Sequence, residues 1–136
     1  MDNKLLPLAR SVSGAKGWDN VTRQIMLAGK TLSAPDSTNA AAHNEVAGCQ
    51  SLVYLWTSEA SHKTARFQGW SDAKIIRGVL AVLLEKANAL TYEQVLTFDF
   101  ALYLDQIGLS RHLSQSRADG ITQVISRLKT LAFTLQ

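Results

Sequence analysis

Cys49 has the strongest claim to chemistry in this sequence. It is the only cysteine in the chain and lies in Val46-Ala47-Gly48-Cys49-Gln50-Ser51, between a loop-like stretch and a β-rich run. A free cysteine is commonly an inert small hydrophobe. The neighbours weigh the other way. Gly48 permits unusual backbone geometry, and Gln50 and Ser51 are polar and turn-compatible. A thiol at a turn tip can reach a partner in a way that a mid-strand thiol cannot. The free thiol has a pKa of about 8.5, so only a few per cent is thiolate at neutral pH. No Lys or Arg lies within ten residues on either side. Activation must come from folded neighbours or a partner, unless none is needed. The histidines, His43, His62 and His112, are widely separated, and each alone reads as a surface side chain before it reads as a ligand or base. An independent Cys–His enzyme, with Cys49 activated by His43 or His112, stays open as an alternative. The chain has no Gly-rich phosphate loop and no paired Cys or His at metal spacing, so no cofactor and no metal is expected.

The elements that must hold this thiol follow from periodicity. Residues 18–32 read as a helix, because Val21, Ile25, Ala28 and Leu32 share one face. A shorter helix over 4–12 precedes it, with Gly14 and Gly17 at the break. Residues 33–44 are the most loop-like, with Pro35, Asp36, Ser37, Asn39 and Asn44. Leu52 to Trp56 form a β-rich run. Residues 64–70 form a second, and the polar 58–63 between them is of hairpin length. Residues 44–47 are expected to add a short third strand. A helix over 72–87 follows, with Ser71 as N-cap and Asp72 in its first turn. Apolar residues cover most of its circumference, which places it centrally, and Gly78 within it implies close packing. Further helices are expected over 91–95, capped by Thr91, and over 99–107 and 116–135. Strands joined by a hairpin and segregated from helices make an α+β domain with a small antiparallel sheet of about three strands.

Composition narrows the function. The chain of 136 residues fits one domain, and a core of that size needs no disulfide. Hydrophobic residues make up 46% and charged residues 18%, too apolar for a disordered chain. The net charge of +3 is too small, and the Lys and Arg too scattered, to argue for nucleic acid. The longest apolar run, Val79 to Leu84, is far below the roughly 20 residues of a membrane helix. Pro7 and Arg10 interrupt the N-terminus, which does not read as a secretory signal. A soluble cytoplasmic protein with a reduced thiol is expected.

Several motifs resemble the SufE family of sulfur acceptor proteins, the group that includes CsdE. Gly48-Cys49-Gln50-Ser51 followed by Val53-Tyr54-Leu55 is similar to the family's cysteine signature. Trp18-Asp19, with Gly29 eleven residues after the tryptophan, resembles its helix, and Asn44-x-Val46 precedes Gly48 at the family's spacing. Gly69-x-Ser71-Asp72-Ala73 and Ile75-Ile76-Arg77-Gly78 resemble its central segment. Gly108-Leu109, His112-Leu113-Ser114 and Ser116-Arg117-x-x-Gly120 resemble its C-terminal signature. The likeness covers about residues 18–132, within one domain taken as 1–136. Trp70 stands where the family usually has Asp, Thr22 where it has Tyr, and Tyr54 where it has Trp.

The resemblance implies a SufE/NifU-like fold and a role for Cys49 as persulfide acceptor. The donor it implies is a pyridoxal-phosphate-dependent cysteine desulfurase of the SufS or CsdA kind, which the chain would stimulate. The sulfur would pass on to a downstream acceptor or iron–sulfur scaffold. This chain is expected to bind no pyridoxal phosphate itself. The resemblance also implies that the cysteine loop rests in an apolar cavity and emerges on docking. Gly48, Gln50, Ser51, Trp70, Asp72, His112 and Arg117 would support that loop or meet the partner. A lone cysteine without a resolving partner fits a carrier and speaks against a thioredoxin-like oxidoreductase. It also supplies too few thiolates for a cluster scaffold.

Overall fold

A computed structural model describes residues 4–58 and 66–135. Its architecture is α+β, with a two-stranded antiparallel sheet and helices packed against it. In order these are α1 (Pro7–Gly14), α2 (Trp18–Gly29), β1 (Val53–Thr57), β2 (Phe67–Ser71), α3 (Lys74–Asn88), α4 (Tyr92–Thr97), α5 (Phe100–Gln106) and α6 (Gln115–Leu135). Single 3₁₀ turns at Ala42–Asn44 and Leu109–His112 complete the path.

The center is α3. Its buried residues include Ile76, Gly78, Val79, Leu80, Val82, Leu83 and Leu84, which span most of its surface, as the apolar circumference predicts. Gly78 sits where α3 crosses α2. A Cβ there would overlap the Ile25 carbonyl, and one at Gly29 would lie 3.0 Å from the Gly78 nitrogen. The two helices therefore meet backbone to backbone. On the opposite side α3 covers the sheet. Gly69 in β2 lets the Leu80 and Leu84 side chains approach, and a Cβ at Gly69 would stand 3.0 Å from Leu80 Cδ2.

The strands pair Val53 with Ser71 and Thr57 with Phe67. The expected second strand, 64–70, is observed from Phe67 to Ser71. Its first residues and the 58–63 connection, His62 included, fall at least partly outside the described residues. The expected third strand shrinks to one bridge, Glu45 to Tyr54. A 3₁₀ turn ends at Asn44 and Gly48 takes φ +86°, so the chain cannot stay extended on either side of that bridge.

Ser71 is not the cap of α3. It continues β2, fully buried opposite Val53, and the helix begins two residues past Asp72, with Ala73 as N-cap. Strand pairing wins over capping propensity here. The Ser71 hydroxyl instead accepts from the Ala73 amide at 3.2 Å, and its carbonyl accepts from Arg77 Nε at 2.7 Å. Thr91 does cap α4, in a reciprocal box with Gln94. At the other end of α3, Glu85 accepts from the Leu8 amide in the first turn of α1, and buried Lys86 donates to the Lys4 carbonyl. These contacts tie the N-terminal helix to the core.

The burial of Leu80 generates a test. It is fully buried under Gly69, so Leu80→Ala should lower stability by about 2–5 kcal/mol in urea melts. A loss under about 0.5 kcal/mol, the range of surface substitutions, would remove α3 from the core.

Candidate functional site

Residues 46–53 form a loop closed at its foot. The Val46 amide donates to the Val53 carbonyl at 2.9 Å, beside the Glu45–Tyr54 bridge. Cys49 is at the tip. Gly48 meets two demands at once. Its φ of +86° is costly for other residues, and a Cβ would lie 3.0 Å from Gln123 Cγ on α6. Asp72 braces the outgoing limb, where its carboxylate accepts from the Leu52 amide at 3.2 Å. That is a different task from the first-turn position expected for it.

The incoming limb is held by a residue that sequence reasoning does not find. Arg127 on α6 donates to the His43 carbonyl and to the Glu45 carbonyl, both at 3.1 Å. One guanidinium so fixes two backbone carbonyls ahead of the cysteine, one in the 3₁₀ turn and one at the Glu45–Tyr54 bridge. No local pattern marks it, because its partners lie more than eighty residues away in the chain.

The thiol rests partly buried against α6. Sγ donates to the Gly120 carbonyl at 3.5 Å, an ordinary length for the weak sulfur donor and its one hydrogen bond among the described residues. Gly120 presents a bare backbone there, and a Cβ would stand 3.5 Å from Sγ. The surrounding cavity measures about 360 Å³. Gln50 and Ser51 line it from the loop, Val53 and Ile76 give it an apolar wall, and Ser116 and Arg117 border it from the start of α6. Ser114 caps that helix, accepting from the Arg117 amide at 3.3 Å.

Not every expected site residue joins this group. His112 stacks on Trp18 with ring centroids 4.2 Å apart, and its Nε2 is buried without a hydrogen-bond partner. It ties the turn before α6 to the start of α2 and does not line the cysteine cavity. His43 is exposed and contributes only its carbonyl, to Arg127. Neither imidazole hydrogen-bonds the thiol, so no Cys–His pair is formed among the described residues. Trp70 lies half-buried beneath the Arg77 guanidinium, 4.4 Å from its ring, and is also outside the cavity. Among the described residues no three His, Cys, Asp or Glu side chains gather as metal ligands, and no helix is long and apolar enough to cross a membrane.

Burial pushes the Cys49 thiol above its ordinary pKa, and the Glu45 carboxylate pushes it further the same way. The resting group is therefore a neutral thiol. Because the folded value exceeds the unfolded one, the associated stability is complete below the unfolded pKa and is lost as pH climbs through the folded one. Iodoacetamide alkylation of the native chain should follow a titration displaced to higher pH than in urea, where the midpoint is about 8.5. Glu45→Gln should return part of the displacement. Superimposable native and unfolded curves would contradict this environment.

The family described as SufE: Fe-S metabolism associated domain matches residues 7–132. An uncharacterized SufE-like protein of Haemophilus influenzae is 32% identical over 117 residues, covering 86% of this chain and 93% of that protein. An uncharacterized SufE-like protein of Rhizobium meliloti is 32% identical over 118 residues, covering 85% of this chain and 84% of its own. With the family match running almost end to end and the relatives covered nearly whole, this chain belongs to the SufE family, whose domain is associated with iron–sulfur metabolism.

Proposed function

We propose that Cys49 accepts sulfane sulfur from a pyridoxal-phosphate-dependent cysteine desulfurase, stimulates that enzyme, and passes the sulfur on for iron–sulfur cluster assembly or related sulfur transfer. One observation carries the reading: the chain's sole thiol sits at the tip of a loop that is anchored at both feet, while Sγ itself makes one weak thiol hydrogen bond, to the Gly120 carbonyl. The anchors define where the loop returns. The weak hold on Sγ lets the tip leave the cavity at low cost.

The chemistry is an exchange at sulfur. The Cys49 thiolate attacks the outer sulfur of the donor persulfide. The bond between the donor's two sulfurs breaks, and the donor cysteine leaves as thiolate with the electron pair. The transferred sulfur keeps its proton, and no external oxidant or reductant is needed. At rest, burial and Glu45 keep the acceptor neutral and poorly nucleophilic. Drawing the tip out of the cavity removes the burial contribution, so exposure raises the thiolate fraction toward the few per cent of a free cysteine at neutral pH. A carrier coupled in this way stays quiet between encounters. The same cavity would shelter a loaded persulfide from stray thiols. The chain supplies an acceptor and not a complete catalytic site.

The test is sulfide release from cysteine by candidate desulfurases, with and without this protein. Wild type should stimulate release. Cys49→Ser should bind and fail to stimulate, since a serine hydroxyl is barely ionised at neutral pH. His43→Ala should keep most of the stimulation, as should His112→Ala once its folding is verified. Full stimulation by Cys49→Ser contradicts the proposal. Turnover of a small thiol or acyl substrate by wild type alone would favour the Cys–His enzyme.

A further inference from the structure

A second feature shares the first turn of α3 with the cysteine cavity. Helices α2 and α3 border a groove of about 540 Å³. Arg23 and Lys30 line it from α2, Lys74 and Arg77 from α3, and Asp19 is its one carboxylate. This local excess equals the net charge of the whole chain, +3. Arg77 is committed to the Ser71 carbonyl and to Trp70. Arg23, Lys30 and Lys74 form no ion pair or side-chain hydrogen bond among the described residues.

Two further observations point outward. Lys74 is the first residue of α3, where the helix dipole disfavours a cation, and that end carries neither a side-chain cap nor an acidic residue in its first turn. Met26 and Leu27, which also line the groove, are 38% and 42% exposed, and with Trp18 they put three of the exposed large hydrophobic side chains on the single helix α2. Unpaired cations around exposed apolar side chains match an acidic, partly apolar protein segment.

Geometry connects the groove to the thiol. Ile76 lines the cysteine cavity, and Lys74 and Arg77, in the same turn of α3, line the groove. A helix with its side chains is about 10 Å across. A standard interface buries about 800 Å² per partner, a disc of about 16 Å radius. A protein of ordinary footprint centred on Cys49 therefore reaches this groove.

We propose that the groove is the electrostatic docking contact for the sulfur donor, receiving a carboxylate-rich surface segment of the cysteine desulfurase beside Cys49. This rests on the acceptor reading above. The groove steers encounter and fixes orientation, and the cysteine loop makes the chemical contact.

The test titrates purified desulfurase against wild type, Lys30→Glu/Lys74→Glu, and the control Lys16→Glu/Arg111→Glu, at low and high salt. The substituted residues are all exposed, and the two double variants change net charge equally. Wild type should bind, more weakly at high salt. The groove variant should lose about tenfold in affinity at low salt, a difference that shrinks as salt screens it, while the control loses much less. Equal binding by wild type and the groove variant would overturn the groove, and so would an equal loss in the control. Absence of wild-type binding to any desulfurase would contradict the acceptor reading itself, and the donor as occupant with it.

Discussion

Helices α2 and α3 touch backbone to backbone at Gly78, Ile25 and Gly29, and most of the molecule is arranged around that contact. A side chain at Gly78 would drive the Ile25 carbonyl away. The close crossing lets α3 bury nearly its whole circumference, with α2 on one side and the sheet on the other. It also fixes where the first turn of α3 lies. That turn walls the cysteine cavity with Ile76 and lines the basic groove with Lys74 and Arg77. The helix propensity lost at one glycine, about 1 kcal/mol, is small beside the packing it permits.

In the proposed acceptor role, the cysteine loop answers a conflict between reach and protection. A thiol that accepts sulfur must be presented to a partner, yet an exposed persulfide is open to every other thiol. The structure separates the two demands by position along the loop. Arg127 and Asp72 hold the limbs through three hydrogen bonds to backbone. Gly48 and Gly120 contribute no side chain of their own at the tip. The electrostatics favour the same division. Burial and Glu45 both disfavour the thiolate at rest, so in the proposed acceptor role exposure would favour the reactive form.

Periodicity and punctuation made much of the fold legible. The stripe from Ile121 to Leu135, the apolar run in α3 and the Thr91 cap all describe elements that form as read. Errors came where tertiary contacts overrule local preference. Ser71 has the chemistry of a cap but is claimed by pairing with Val53. Residues 44–47 read as a strand until the left-handed backbone of Gly48 turns the chain away. At the site, Cys49 and Gly48 were visible by type and spacing, whereas Asp72 and Arg117 were tied to the loop only through the family resemblance. The Gly120 carbonyl and Arg127 were not visible, since each meets the loop across more than seventy residues of sequence. The Lys and Arg residues look scattered because Arg23, Lys30, Lys74 and Arg77 converge only once α2 crosses α3.

The central claim is that sulfur becomes covalently attached to Cys49, and intact-protein mass measures it directly. Incubation with a cysteine desulfurase, pyridoxal phosphate and cysteine should raise the mass of the chain by one or more sulfur atoms. Reductant should remove the addition, and Cys49→Ser should never acquire it. A wild-type mass unchanged by every desulfurase that binds the chain, or an addition that persists in Cys49→Ser, would contradict the account.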